Sequence, residues 1–288
     1  MTIKNNVEIN KMVEINKKQA EFYDCISEED DVEEQTGYVR NKKANLLTRV
    51  WAAMRYRHQI AFEKSGVDIK KIAFHDYWIA SKRGGRFLEI GCFRGTRASW
   101  PLIEAAGTYK GIDLSESAVA ALNKKIQVAD LITKASASAE DFLLMDDDYQ
   151  FDLIFAHGVL HHFENSKILF SKIDNLLSDD GILIFTEPSM VNRIFFSIRM
   201  IYRPFQSDSE WEWPFTKQTV SNLEQFFKPV DGFGWGRWSM PFSLIMGIPF
   251  IENFTNKLYL RLLAKELNDG WNERVWLNST VTAIYKKS

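Results

Sequence analysis

The run Arg86-Phe87-Leu88-Glu89-Ile90-Gly91-Cys92-Phe93-Arg94-Gly95-Thr96 constrains this chain more than any other. Its pattern predicts a short apolar strand over Phe87 to Ile90, a turn on Gly91 and Gly95, and a helix over Thr96 to Ala106. Glycine adopts turns closed to other residues and lets a ligand approach the backbone. The first N–H groups of the new helix lack intrahelical partners and face across the turn. At the carboxyl end of a parallel strand, such a turn cradles a nucleotide-like ligand.

The spacing narrows the ligand. A dinucleotide fingerprint needs G-x-G-x-x-G. Counted from Gly91, its second and third glycines would fall on Phe93 and Thr96, so the pattern fails twice. What stands there is E-x-G-x-x-x-G. Asp113, 24 residues after Glu89 (113 − 89), ends a second apolar stretch, Tyr109 to Leu114. An acid there can accept bonds from both hydroxyls of a ribose.

Further units follow. A helix is expected over Ser115 to Lys124, a strand near Asp130 to Ala135, and a strand over Phe151 to Ala156. A helix over Asn165 to Leu177 leads to a strand over Ile182 to Thr186. Strands alternating with helices imply a parallel, doubly wound sheet. A helix over Gln218 to Phe227 and a long strand over Arg274 to Tyr285 complete the reading. Ahead of the turn, helices are expected over residues 8–26, Lys42 to Lys64 and Asp68 to Ser81. The six acids between Glu28 and Glu34 read as a solvated linker. This gives an N-terminal helical extension, residues 1–82, and an α/β domain, residues 83–288. The extension either caps the active site or mediates dimerisation.

The most specific stretch is Phe151-Asp152-Leu153-Ile154-Phe155-Ala156-His157-Gly158-Val159-Leu160-His161-His162-Phe163. With the glycine turn, Asp113 and the unit from Leu176 to Pro188, it resembles the class I S-adenosylmethionine (SAM) methyltransferases of the small-molecule type. Lys17 to Asp24 resembles the N-terminal segment of many members. The resemblance implies a mostly parallel, seven-stranded Rossmann-like sheet with an antiparallel terminal strand. It also implies methyl transfer from SAM as cofactor. The cofactor-binding residues it suggests are Tyr23, Glu89, Gly91, Cys92, Gly95, Asp113, Leu114, Ala139 and Glu140; for the adenine edge, Ser138 occupies the family's usual acid position, with Glu140 or Asp141 nearby. Phe93 departs from the family, which usually has glycine there. The alternative is a catalytically degenerate SAM-binding or interaction module.

An alcohol acceptor needs a base, and histidine titrates near neutrality. His157, His161 and His162 are the candidates, with His157 or His161 favoured as nearest the strand end. The same three could bind a metal, but no H-E-x-x-H or cysteine-rich set accompanies them, so no metal is expected. The formal net charge of −2 gives no reason to bind nucleic acid. Two cysteines, Cys25 and Cys92, fit a reducing compartment. With no secretory core near the N-terminus and no apolar run of transmembrane length, a cytoplasmic location is expected.

Two segments interrupt the alternation, near 189–215 and 238–270. Both follow strands whose carboxyl ends should face the ligand, and both are rich in aromatic or apolar residues. They suggest a small, mostly apolar acceptor. Either they form a hydrophobic lid, the favoured reading, or Arg193 to Arg203 makes a weak peripheral membrane contact. The sequence leaves the oligomeric state open.

Overall fold

The computed structural model describes residues 3–28, 63, 65–146, 149–203, 209–243 and 252–288. All but Glu63 of the expected helix over Lys42 to Lys64, the acidic stretch after Glu28 and most of Pro241 to Ile251 lie outside the described residues.

Seven strands make one sheet: β1 (Arg86–Ile90), β2 (Thr108–Asp113), β3 (Ala135–Ala139), β4 (Phe151–His157), β5 (Leu177–Pro188), β6 (Phe227–Trp235) and β7 (Thr280–Lys287). Their spatial order is β3-β2-β1-β4-β5-β7-β6. The pairs β1–β2, β1–β4, β2–β3 and β4–β5 are parallel. Strand β7 runs antiparallel between β5 and β6. The doubly wound sheet with an antiparallel terminal strand is therefore present, as expected.

The described helices are α1 (Ile3–Glu28), α2 (Val67–Ala80), α3 (Ser99–Ala105), α4 (Glu116–Val128), α5 (Ser166–Leu176), α6 (Arg193–Tyr202), α7 (Lys217–Leu223), α8 (Met240–Ser243) and α9 (Glu252–Asn268). Several starts are set by side-chain caps that satisfy orphan N–H groups. Ser115 accepts from Ala118, and Asn165 accepts from Ile168. Thr216 and Thr219 cap α7 reciprocally.

The central strands are buried on both faces, which is why they read as continuous apolar runs. Leu88, Ile154, Leu183 and Phe185 pack with Leu169, Phe170 and Ile173 of α5. On the other face Phe87, Leu153, Phe155 and Ile184 pack with Leu102 and Ile103 of α3 and Leu122 of α4.

Four expectations shift. The third strand starts at Ala135, not near Asp130. Asp130 instead has a left-handed φ of 56° in the turn before it. The α3 helix starts at Ser99 rather than Thr96. The terminal strand starts at Thr280, because Val275–Leu277 forms a short 3-10 turn that buries Val275 and Trp276. Strand β6 was not expected at all. Pro229 and two glycines hide it, yet it is an edge strand with a register shift between Pro229 and Asp231, where proline is tolerated.

Candidate active site

The carboxyl ends of β1, β2 and β4 meet helix α1. The turn after β1 carries three left-handed residues: Gly91 (φ 73°), Phe93 (φ 45°) and Gly95 (φ 78°). A Cβ on Gly91 would lie 2.7 Å from Val159 Cγ2, and one on Gly95 would lie 2.7 Å from Leu122 Cδ1. Backbone angle calls for glycine at both positions, and at Gly91 the branched Val159 side chain leaves no room for a Cβ either. Phe93 keeps the backbone twist that usually calls for glycine.

Asp113 closes β2. Its Oδ2 accepts from Phe93 N at 2.9 Å and its Oδ1 from Ser115 N at 3.0 Å. Burial pushes its pKa up, and the backbone donors from Ser115 and Phe93 work against that rise. Each carboxylate oxygen has a second lone pair, so the held group can still accept from two hydroxyls. Glu89 is different. It is buried and turned into the protein, where Ser99 Oγ and Tyr109 Oη donate to it at 2.9 and 2.6 Å. Burial raises its pKa to about 7. The Cys92 side chain is also buried, against the Gly111 backbone, while its N–H donates to Ile112 O.

At the ends of β2 and β3, Ala139 is exposed and Leu114 and Glu140 are half-buried. Glu140 accepts from Ser138 Oγ at 2.5 Å and pairs with Lys110 Nζ at 3.2 Å. The Glu140 N–H already donates to Asp113 O at 2.9 Å.

Helix α1 lies across these loops. Asp24 accepts from Ser115 Oγ, Ser117 N and Ser117 Oγ at 2.6, 3.1 and 2.9 Å. Burial opposes its ionisation, but these bonds outweigh it and hold its pKa below the usual carboxylate value. Asn16 donates to Asp141 at 2.6 Å and Arg94 donates to Ser27 O at 3.0 Å. The Tyr23 ring meets Phe93 edge-on at 6.3 Å and His162 at 6.1 Å.

The three histidines separate. His157 is exposed at the end of β4. Crowding by the surrounding protein, then the Lys71 ammonium, push its pKa down to about 4. His161 is buried, with Nδ1 2.6 Å from Glu187 Oε2 and Nε2 4.0 Å from Glu212. Arg199 of α6 pairs with that Glu212. The Nδ1 of His162 lies 2.8 Å from Trp211 O, and its Nε2 lies 3.3 Å from Tyr23 Oη. A carbonyl can only accept, so Nδ1 carries the proton and Nε2 accepts from the tyrosine.

Sequence reasoning missed Glu187, Trp211, Glu212 and Arg199. Glu187 is fully buried, accepts from Val159 and Leu160 N–H at 2.9 and 2.7 Å, and holds the loop after β4 in place. Burial raises its pKa to about 7. A lone acid ending the apolar run Ile182 to Thr186 was the available signal. Glu212 and Arg199 had none, since they sit 13 residues apart (212 − 199) and meet only through the fold.

The residues fit a nucleoside bearing a cationic sulfonium. The fit rests on the left-handed turn and the anchored Asp113 carboxylate, with the aromatic wall of Tyr23 and Phe93 beside them.

Residues 88–185 match the family model described as a methyltransferase domain. A ubiquinone biosynthesis O-methyltransferase from Glaesserella parasuis serovar 5 (strain SH0165) is 27% identical over 156 residues. That match spans 53% of this chain and 63% of the relative. Among solved structures, the cyclopropane synthase MmaA2 from Mycobacterium tuberculosis shares the fold with a TM-score of 0.51 and 15% identity, over 75% of this chain and 83% of that one. An S-adenosylmethionine-dependent methyltransferase from Clostridium acetobutylicum ATCC 824 gives a TM-score of 0.50 and 12% identity, over 75% and 89%. Strand order, glycine turn and family match agree over the central part of the chain: residues 88–185 form a methyltransferase domain of the S-adenosylmethionine-dependent kind.

Proposed function

We propose that this protein methylates an oxygen atom of a small, mostly apolar acceptor, using SAM held between α1 and the carboxyl edge of the sheet. The observation that carries this reading is the contact that α1 makes with the glycine turn and with the loop after β4. Tyr23 of α1 meets Phe93 of the glycine turn and His162 edge-on, and the Phe93 N–H donates to Asp113, which supports a nucleoside site at this edge. The relative named for O-methylation in ubiquinone biosynthesis supports an oxygen acceptor.

When bound, SAM supplies an electrophilic methyl on a cationic sulfonium. The chain's own work is alignment and exclusion of water, which is proximity catalysis. Asp113 takes the ribose hydroxyls. The amides after Gly91 and the outward groups of Leu114, Ala139 and Glu140 bound the nucleoside. Tyr23 and Phe93 offer ring faces suited to a cation. His157 is the base: it is exposed at the strand end, and its neutral form is favoured. It takes the acceptor hydroxyl proton at a ring nitrogen. His161 and Glu187 are positioning residues that fix the loop on which His162 meets Tyr23.

Incubating the purified chain with radiolabelled SAM and a metabolite extract tests the proposal. Label transferred to an organic-soluble product supports it and identifies the acceptor. Tight SAM binding with no product from any extract fraction would favour the degenerate module.

A further inference from the structure

We propose that the outer face of α6 is a docking surface for an anionic lipid bilayer. Among the described residues, fifteen large hydrophobics are exposed, and four of them fall within positions 194 to 201: Ile194 (64%), Phe196 (48%), Met200 (51%) and Ile201 (75%). Single exposed apolar residues are ordinary, but a cluster marks an interaction site. Ile194 and Ile201 are seven residues apart and share one side of a helix, with Met200 beside them. The opposite side holds α6 to the body through buried Phe195 and through Arg199, which Glu212 neutralises. The apolar face is therefore outward by construction.

Charge selects the occupant. The stretch 189–203 holds three arginines and no acid, in a chain whose net charge is −2. With Arg199 paired inward, exposed Arg193 stands at one end of the helix and half-buried Arg203, which donates to Ser209 O at 2.8 Å and keeps its charge, at the other. A neighbouring loop repeats the chemistry: Trp238 is 56% exposed, with the Arg237 guanidinium 4.9 Å from its ring centre. Pro188 of β5 and Trp235 of β6 both pair with Thr280, one on each side. Helix α6 and the Arg237–Trp238 loop thus leave one edge of the sheet two strands apart. An apolar face rimmed by arginine, with a tryptophan beside it, suits the boundary between anionic headgroups and acyl chains. A second copy of this chain would bring arginines against arginines.

The inference goes beyond methyl transfer, because vesicle binding needs neither cofactor nor acceptor. Either reading can fail alone. The test is co-sedimentation of the full chain with phosphatidylcholine vesicles, with and without phosphatidylglycerol. Anion-containing vesicles should pellet the protein at least about tenfold better, and raised salt should reverse this, since each basic group near the surface contributes about 1 kcal/mol that salt screens. The Ile194→Asp/Ile201→Asp variant should lose that binding, while Ile69→Asp, at an exposed apolar site on α2, should keep it. Analytical ultracentrifugation of both variants checks that they remain compact. Failure of the wild type to pellet, equal pelleting on neutral vesicles, or binding that survives the double substitution would each overturn the proposal. So would a stable dimer that Ile201→Asp dissociates.

Discussion

At Phe93 two demands meet in one residue. Its φ of 45° lies where an L side chain costs roughly 1–2 kcal/mol, and its ring contacts Tyr23. Phe93→Ala loses the ring and keeps the strain, whereas Phe93→Gly loses the ring and removes the strain. Urea denaturation should therefore rank the glycine variant above the alanine variant by about 1 kcal/mol. The reverse order would mean the turn has a different backbone. Asp113→Ala should weaken SAM binding by about a hundredfold in calorimetry, the loss of roughly 3 kcal/mol from two bonds to a charged group. Unchanged affinity would remove Asp113 from the ribose. If His157 is the base, His157→Ala should lower turnover by roughly 10²–10⁴ with SAM affinity intact. A base works only when deprotonated, so the acid limb of kcat/KM should fall near pH 4, not near 6.5. Asp113 and the histidines were legible because their spacing along the chain is local to one strand end. The division of labour among the histidines was not, because Glu187 and Trp211 reach them from other elements.

At the scale of elements, α1 and α4 share a cap. Ser115 caps α4 from its own chain segment, and Asp24 adds a carboxylate from α1 at the same positive end. Asp24→Ala should cost about 1 kcal/mol of stability and, more tellingly, should speed proteolysis within α1 in the absence of cofactor. Equal cleavage rates in the two proteins would show that α1 is held elsewhere. Strands β1, β4 and β5 were legible because burial on both faces makes them continuous apolar runs. Edge strands lack that signature. Strand β3 alternates alanine with serine, and β6 follows its buried first residue, Phe227, with exposed Lys228 and Pro229, so neither announces itself. Helix α9 was hidden for another reason: its buried Tyr259 and Leu263 pack on Phe233 and Trp235 of β6, a partner not anticipated.

Across the whole molecule, two ionisable groups pull in opposite directions with pH. Glu187 is raised to about 7, so its share of stability is complete below about pH 4.5 and is lost as pH rises through 7. His157 is lowered to about 4, so its share is complete above about pH 6.5 and is lost as pH falls through 4. Glu187→Gln should flatten the decline on the alkaline side and leave the acid side as it was, measured by denaturant midpoints across that range. The sheet also ties off its two long excursions at one place. Ser189 N donates to Ser279 O at 2.9 Å, Phe215 N to Pro188 O at 3.0 Å, and Ser279 N to Trp235 O at 3.0 Å. Each excursion leaves and rejoins the body within a few ångströms, and doubling such a loop adds only about 0.6 kcal/mol of closure entropy. The same frame can therefore carry different excursions as a socket carries interchangeable tools, so descent with altered acceptor choice needs no change in the strands beneath.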